Sequence, residues 1–119
     1  MTKEIQLGRF EYCLNVKDVH RSLDFYKKLG FEQVGGNIDE NWVIIEHGNC
    51  ILGLYQGHIK VNLLNFRGGD VYAIAEHLKS KDLELVKDAF TEEDGSAAAE
   101  IRDPDGNCIY FNTFPGEEI

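Results

Sequence analysis

The spacing of apolar and polar residues predicts a strand and then a helix near the N-terminal end of the chain. Within residues 10–16 every second side chain is apolar, and this period of two indicates a strand with one apolar face. Within residues 19–29 the apolar side chains recur at helical spacing instead. Asp18 and Gly30 flank this segment and are suited to cap the two ends of a helix.

The rest of the chain predicts two copies of one unit, in which a helix follows the first of four strands. The other strands of the first half are predicted at residues 31–34, 42–46 and 50–56. In the second half a helix capped by Asp70 is predicted, with strands at residues 61–66, 83–86, 97–102 and 108–114. The string Gly-Asn-Cys-Ile opens the last strand of both halves, at 48–51 and at 106–109. We therefore predict one domain over 1–119, made of two strand-helix-strand-strand-strand (βαβββ) units at about 8–57 and 58–115.

Composition and charge narrow the classes of function. No apolar run approaches the ~18 residues of a membrane helix, and the N-terminal segment lacks a signal-peptide core, so a cytoplasmic protein is expected. The three cysteines form no Cys-x-x-Cys pair, which argues against a disulfide framework and a zinc knuckle. The formal net charge of -9 weighs against nucleic acid as a partner, because phosphates are repelled.

Two segments resemble the glyoxalase, bleomycin-resistance and ring-cleaving dioxygenase superfamily, which has the vicinal oxygen chelate fold. They read LNVKDVHRSLDFYKKLGFE at residues 14–32 and IRDPDGNCIYFNTFPGE at residues 101–117. The resemblance implies an α+β fold, in which two tandem βαβββ units curl their sheets into half-barrels around a central cavity. It also implies a homodimer, since members of the superfamily often pair.

The resemblance further implies four positions for metal ligands, which are usually His and Glu in the enzymes of the family. The position in the first strand corresponds to Glu11, and the position in the last strand corresponds to Tyr110. The internal repeat makes Leu52 the counterpart of Tyr110, and the fourth position is Leu63, or Asn62 if the nearby glycine pair shifts the alignment. Only Glu11 among these binds a metal well, so we expect no metal and no other cofactor.

We therefore predict a small-molecule pocket without a metal. The candidate lining residues are Glu11, Cys13, Asn15, Trp42, Leu52, Leu54, Cys108, Tyr110 and Asn112. In such a mixed pocket Tyr110 can stack on a planar ligand, and Glu11 can pair with a cation or act as a general base. The alternatives are a Tyr110 packed in the core, a Glu11 paired with an arginine (Arg9, Arg67 or Arg102), and a metal site rescued by His58.

Three functions stay open from the sequence. The first is metal-free binding of a small organic molecule, as in the antibiotic-binding members of the superfamily, and the acidic charge balance suits a cationic ligand. The second is an enzyme, similar to lactoylglutathione lyase or to another lyase, isomerase or dioxygenase of the superfamily, with Glu11 as the base. The third is a structural or regulatory dimer whose cavity has lost its function.

The stretch Asp103-Pro104-Asp105-Gly106-Asn107 has two interpretations. Acidic and amide side chains at every second position begin an oxygen-rich calcium loop, but they also occur in tight turns between strands. A calcium loop needs a bidentate Glu further on, whereas this stretch enters an apolar strand. We therefore predict a turn in which the Asp103 side chain accepts hydrogen bonds from the backbone amides that follow it.

Overall fold

The computed structural model describes residues 4–118. Their secondary structure consists of β1 (Gly8–Asn15), α1 (Val19–Leu29), β2 (Glu32–Asn37), a short 3-10 helix (Ile38–Glu40), β3 (Trp42–His47), β4 (Cys50–Tyr55), β5 (Leu63–Gly68), α2 (Val71–Ser80), β6 (Lys87–Thr91), β7 (Ala97–Arg102) and β8 (Cys108–Thr113). The chain divides into two compact units, which we call the first unit (Glu11–Leu63) and the second unit (residues 4–10 and 64–118). The predicted order of elements, βαβββ twice, is confirmed.

Helix α1 begins and ends where the sequence predicts. The Asp18 side chain accepts hydrogen bonds from the backbone amides of His20 and Arg21, at 3.1 and 3.2 Å, which satisfies donors that the first turn leaves unpaired. Gly30 ends the helix in the left-handed conformation with φ 107°, which glycine adopts without a steric penalty.

The first unit has its strands in the order β2-β3-β4-β1. Strand β3 is antiparallel to both β2 and β4, whereas β1 is parallel to β4 with Tyr12 opposite Leu52. The core lies between this sheet and α1. Its buried residues are Val19, Leu23, Val43, Ile45, Leu52 and Leu54.

The second unit has its strands in the order β5-β8-β7-β6. Helix α2 is capped by Asp70, whose side chain accepts from the Ala73 amide at 3.1 Å. The core between α2 and the sheet contains the buried residues Val71, Ile74, Ala99, Ile101 and Phe111.

Two strand predictions were wrong in position. The segment 83–86, predicted as a strand, lies outside the strands, and β6 begins at Lys87 instead. Within that segment Leu83 and Val86 are exposed, at 48% and 57% of their surface, so its apolar residues do not form the buried face of a strand. Strand β2 continues through Gly35 and Gly36 rather than ending before them. A register shift lies between Gln33 and Gly35, and the two glycines then pair with Ile44 and Val43 of β3.

The turn before β8 has the predicted structure. One oxygen of Asp103, Oδ1, accepts from the amides of Asp105 and Asn107 at 2.9 and 2.8 Å, and the other accepts from the Asn107 side chain at 2.8 Å. These bonds hold the pKa of Asp103 below its ordinary value, the Asn107 side chain having the largest effect. The Asp103 carboxylate therefore stabilises the turn.

Candidate functional site

Strand β1 presents three polar side chains on the face of the first unit's sheet that is turned away from α1. Tyr12 and Leu14 pack against the core beneath α1, and side chains alternate between faces along a strand. Glu11, Cys13 and Asn15 therefore lie on the opposite face, as predicted.

The predicted placement of Leu52 and Leu54 on that same face was wrong. Both are buried in the core with Val19 and Leu23 beneath α1, and Leu54 has no exposed surface. The side chains of β4 that share a face with Glu11 are Ile51 and Tyr55, with Gly53 between them. A shift of one residue in the assumed register moves every side chain of a strand to the other face.

Glu11 is the chemical centre of this face. Its side chain is buried, with 4% of its surface exposed. The oxygen Oε2 accepts hydrogen bonds from the Cys13 thiol and from the Tyr55 hydroxyl, each with a distance of 3.2 Å between the heavy atoms. A carboxylate that is removed from water needs such donors, because its burial is otherwise costly.

Two aromatic rings adjoin this cluster. Trp42 on β3 and Tyr55 on β4 lie directly opposite each other in the antiparallel ladder. Their rings are nearly parallel, with centroids 6.0 Å apart and an interplanar angle of 4°. Both residues are partly exposed, so this stacked pair places an aromatic surface beside a buried carboxylate. We call Trp42 and Tyr55 the aromatic shelf.

Asn15 and His58 have structural partners of their own. The backbone amide of Asn15 donates to the Asn62 side chain at 2.8 Å, and the side chain of Asn15 donates to the Lys60 carbonyl at 3.3 Å. The ring nitrogen Nε2 of His58 lies 2.7 Å from the Glu40 carbonyl. These contacts tie the segment after β4 to the rest of the first unit.

In the second unit, Cys108, Tyr110 and Asn112 share the face of the sheet that is turned away from α2. Ile109 and Phe111, which alternate with them, pack in the core. The Asn112 side chain accepts from Asn65 at 2.9 Å, and the same Asn65 nitrogen donates to the Tyr110 carbonyl at 3.0 Å. Asn65, buried on β5, therefore fixes the end of β8 that carries two of the predicted residues.

The polar side chains on this face perturb one another. The Cys108 thiol donates to Glu100 at 3.2 Å, and the same carboxylate pairs with Arg102 at 3.3 Å. Burial, followed by the neighbouring Glu100, raises the pKa of the Cys108 thiol. Burial, followed by the charges of Glu92 and Glu100, also raises the pKa of the Tyr110 phenol, so that both groups are held in their protonated forms.

The residues present do not fit the metal site that the fold family implies. Within residues 4–118 no three His, Cys, Asp or Glu side chains are grouped as a metal would require. Tyr110 and Leu63 occupy two of the implied positions, and Leu52 lies in the core. Glu11 has Cys13 beside it, but a carboxylate and one thiol are fewer ligands than zinc or calcium takes.

Solved structures of other proteins have the same fold as this chain. No protein-family model and no curated protein sequence matches the chain. A glyoxalase/bleomycin resistance protein/dioxygenase superfamily member from Vibrio splendidus 12B01 is similar in structure, with a TM-score of 0.65 and 17% identity over 88% of this chain and 97% of that one. An NAD-dependent benzaldehyde dehydrogenase from Legionella pneumophila has a TM-score of 0.74 and 16% identity, over 88% and 98%. A hypothetical protein from Bacillus halodurans C-125 has a TM-score of 0.62 and 12% identity, over 93% and 95%.

The α+β fold with two tandem βαβββ units is therefore the fold of the glyoxalase/bleomycin resistance/dioxygenase superfamily, as the sequence resemblance predicted. Identities of 12 to 17% carry this conclusion for the fold alone. Proteins of one fold perform unrelated functions, and the names of these three proteins differ accordingly. Neither helix in residues 4–118 has the length and apolar composition that crossing a bilayer requires.

Two residues of the first unit's site, Gly53 and Tyr55, are not among the lining residues predicted from the sequence. Both lie in the strand predicted at residues 50–56. Because residues 51, 52, 54 and 55 are all apolar or aromatic, alternation alone does not indicate which face of β4 is buried. The parallel pairing of Cys13 with Gly53 and Asn15 with Tyr55 brings these residues beside Glu11, and a pairing between distant strands leaves no local signal.

Proposed function

We propose that this protein binds a small organic molecule without a metal, on the face of the first unit's sheet that is turned away from α1. The observation that supports this most is the buried carboxylate of Glu11 beside the partly exposed aromatic shelf. A few polar groups in apolar surroundings are typical of small-molecule sites. Replacing a buried ionic group by a packed apolar side chain is often neutral or stabilising, so stability alone does not account for a carboxylate here.

In the second unit we propose a separate ligand surface, on the face of its own sheet that is turned away from α2. Tyr110 offers a protonated hydroxyl, and the Asn112 side chain is held in place by Asn65. Cys108 offers a protonated thiol. Each unit is tested by its own variant, Glu11→Gln for the first and Tyr110→Phe for the second.

The first experiment is a metal analysis of the purified protein followed by a thermal-shift screen. We expect less than stoichiometric metal, and stoichiometric nickel, zinc, iron or manganese would overturn the metal-free proposal. The screen uses cationic antibiotics and 2-oxo compounds. A true ligand raises Tm in the unmodified protein, because it binds the native state alone, and loses this effect in Glu11→Gln.

Asp24→Asn is the matched control for Glu11→Gln. Asp24 also loses one negative charge, but it lies on the exposed surface of α1 in an ion pair with Lys28. We expect Asp24→Asn to keep the thermal shift. Equal shifts in Glu11→Gln, Tyr110→Phe and the unmodified protein would show that the proposed residues are not the site.

A second candidate function is a lyase or isomerase in which Glu11 is the base. The observation that favours it is the 3.2 Å hydrogen bond from the Tyr55 hydroxyl to Glu11, since a carboxylate and a phenol in contact can pass a proton between them. Such a base exchanges a proton on the carbon next to a carbonyl group with solvent. NMR in deuterated water should then show deuterium entering a 2-oxo substrate with the unmodified protein but not with Glu11→Gln, and no exchange with any compound would exclude this role.

We also propose that the protein is a homodimer in the cytoplasm. Phe25 and Leu29 lie one turn apart on α1 and are both more than half exposed, which gives the first unit an apolar surface of the kind that subunits cover. One chain has a mass of 13.5 kDa. Light scattering should give twice this mass. A mass of one chain at micromolar concentration would contradict the dimer.

A further inference from the structure

The absence of a side chain at Gly53 determines how Tyr55 lies. A Cβ atom built on Gly53 would be 2.5 Å from the Cε2 atom of Tyr55 and 2.8 Å from the Oε2 atom of Glu11. Real Cβ atoms essentially never have neighbours closer than 3.0 Å. The glycine thus leaves the space in which the Tyr55 ring lies back along β4 and its hydroxyl reaches Glu11.

This position of the Tyr55 ring also gives the aromatic shelf its shape. Because Tyr55 lies back over Gly53, its plane is within 4° of the plane of Trp42. The two rings offer faces with negative electrostatic potential. The Tyr55 hydroxyl donates to the Glu11 carboxylate, so the stacked aromatic pair has an acidic group at one end.

We propose that this arrangement selects a planar aromatic cation with its positive charge at the edge of the ring, and that Gly53 is the residue that sets this specificity. The proposal rests on the proposed function, because it names the ligand class of the same site. The ring of such a ligand stacks on Trp42 or Tyr55, and its charged edge donates hydrogen bonds toward Glu11. A negatively charged ring is repelled by the carboxylate, and a saturated ring loses the stacking.

Four matched probes separate shape from charge. Benzamidinium is planar and positive, benzamide is planar and neutral, benzoate is planar and negative, and cyclohexanecarboxamidinium is positive but not planar. Trp42 is the only tryptophan of the chain, so its fluorescence reports binding at the shelf. We expect benzamidinium to bind at least about tenfold more tightly than each of the other three, which is the order of one charge-assisted hydrogen bond or one stacked ring.

Gly53→Ala tests the role of the glycine, and Gly35→Ala is its matched control. Gly35 is also a strand glycine of the first unit, but a Cβ there would meet Ile44 at an ordinary 3.5 Å. We expect Gly53→Ala to reduce benzamidinium affinity about tenfold or more, as the loss of the hydrogen-bonded Tyr55 position implies, and to change the Trp42 fluorescence. Gly35→Ala should change neither. Tyr55→Leu removes one ring of the shelf without adding atoms at Gly53, and the same loss is expected from it if Gly53→Ala does not fold.

The outcomes distinguish this inference from the function on which it rests. If none of the four probes binds, the proposed site and the ligand class both fail. If the probes bind with equal affinity, or benzoate binds best, the ligand class is wrong and small-molecule binding stands. If Gly53→Ala folds and binds benzamidinium like the unmodified protein, Gly53 does not set the specificity.

Discussion

Replacing Leu54 by alanine tests the face assignment of β4 directly. Leu54 has no exposed surface and packs with Val19, Val43 and Ile45 beneath α1. Truncating a fully buried leucine removes its transfer free energy and leaves a cavity, which together cost about 2–5 kcal/mol. At about 0.05–0.15 kcal/mol per residue, the 119 residues have a free energy of unfolding of about 6–18 kcal/mol, so the variant remains folded and the loss is measurable.

The assay is urea unfolding followed by Trp42 fluorescence, because Trp42 lies in the same unit as Leu54. A loss of about 3 kcal/mol lowers the midpoint by about 1–3 M urea at slopes of about 1–3 kcal/mol per M. Leu54→Met conserves volume and should cost less than about 1.5 kcal/mol. Ile51→Ala, on the opposite face and partly exposed, should cost clearly less than Leu54→Ala. If Leu54→Ala lowers the free energy of unfolding by less than about 1 kcal/mol and also weakens ligand binding, Leu54 does not lie in the core. It would then be a residue of the ligand site.

Three further predictions concern titrating groups. The lowered pKa of Asp103 means that its stabilising effect is present above the ordinary aspartate pKa and is lost as the pH falls through the folded value. An NMR titration should place the pKa of Asp103 below the ordinary aspartate value, and Asn107→Ala should raise it. The raised pKa of Tyr110 has the opposite effect on the pH dependence of stability. Its contribution to stability is complete below the ordinary tyrosine pKa of about 10 and is lost as the pH rises through the folded value. Tyr110→Phe should therefore reduce the decline of Tm at alkaline pH. Burial and Glu100 raise the pKa of Cys108, so iodoacetamide should modify exposed Cys50 faster than Cys108; equal rates by mass spectrometry would contradict this.

The helices were predictable because their signals are local. Asp18 and Asp70 cap the first turns with their own side chains, and Gly30 ends α1 in a conformation that its own lack of a Cβ permits. The turn at Asp103 was predictable for the same reason, since its bonds join residues at most four positions apart. Each feature is determined by a short segment, and a short segment is what a sequence pattern describes.

The strands of weak amphipathicity were not predictable in this way. Strand β6 contains only two apolar residues, Ala89 and Phe90, whereas the preceding segment 83–86 is more apolar and yet largely exposed. What places β6 is its antiparallel pairing with β7, in which Phe90 lies opposite Ala98. The same holds for the candidate site, because Tyr55 reaches Glu11 through the parallel pairing of β1 and β4, which joins residues forty positions apart.

The repeated string Gly-Asn-Cys-Ile explains why Leu52 was predicted on the wrong face of β4. Aligned by the string, Leu52 corresponds to Tyr110, yet Leu52 lies in the core and Tyr110 lies on the face opposite the core of its own unit. The two copies therefore differ by one residue in register, and such a difference exchanges the faces of a strand. The counterpart of Tyr110 by face is Ile51 or Gly53, neither of which has a side chain that binds a metal. The correction thus leaves the prediction of a metal-free site unchanged. The residue of β4 that shapes the site is Gly53, because its missing side chain lets Tyr55 reach Glu11.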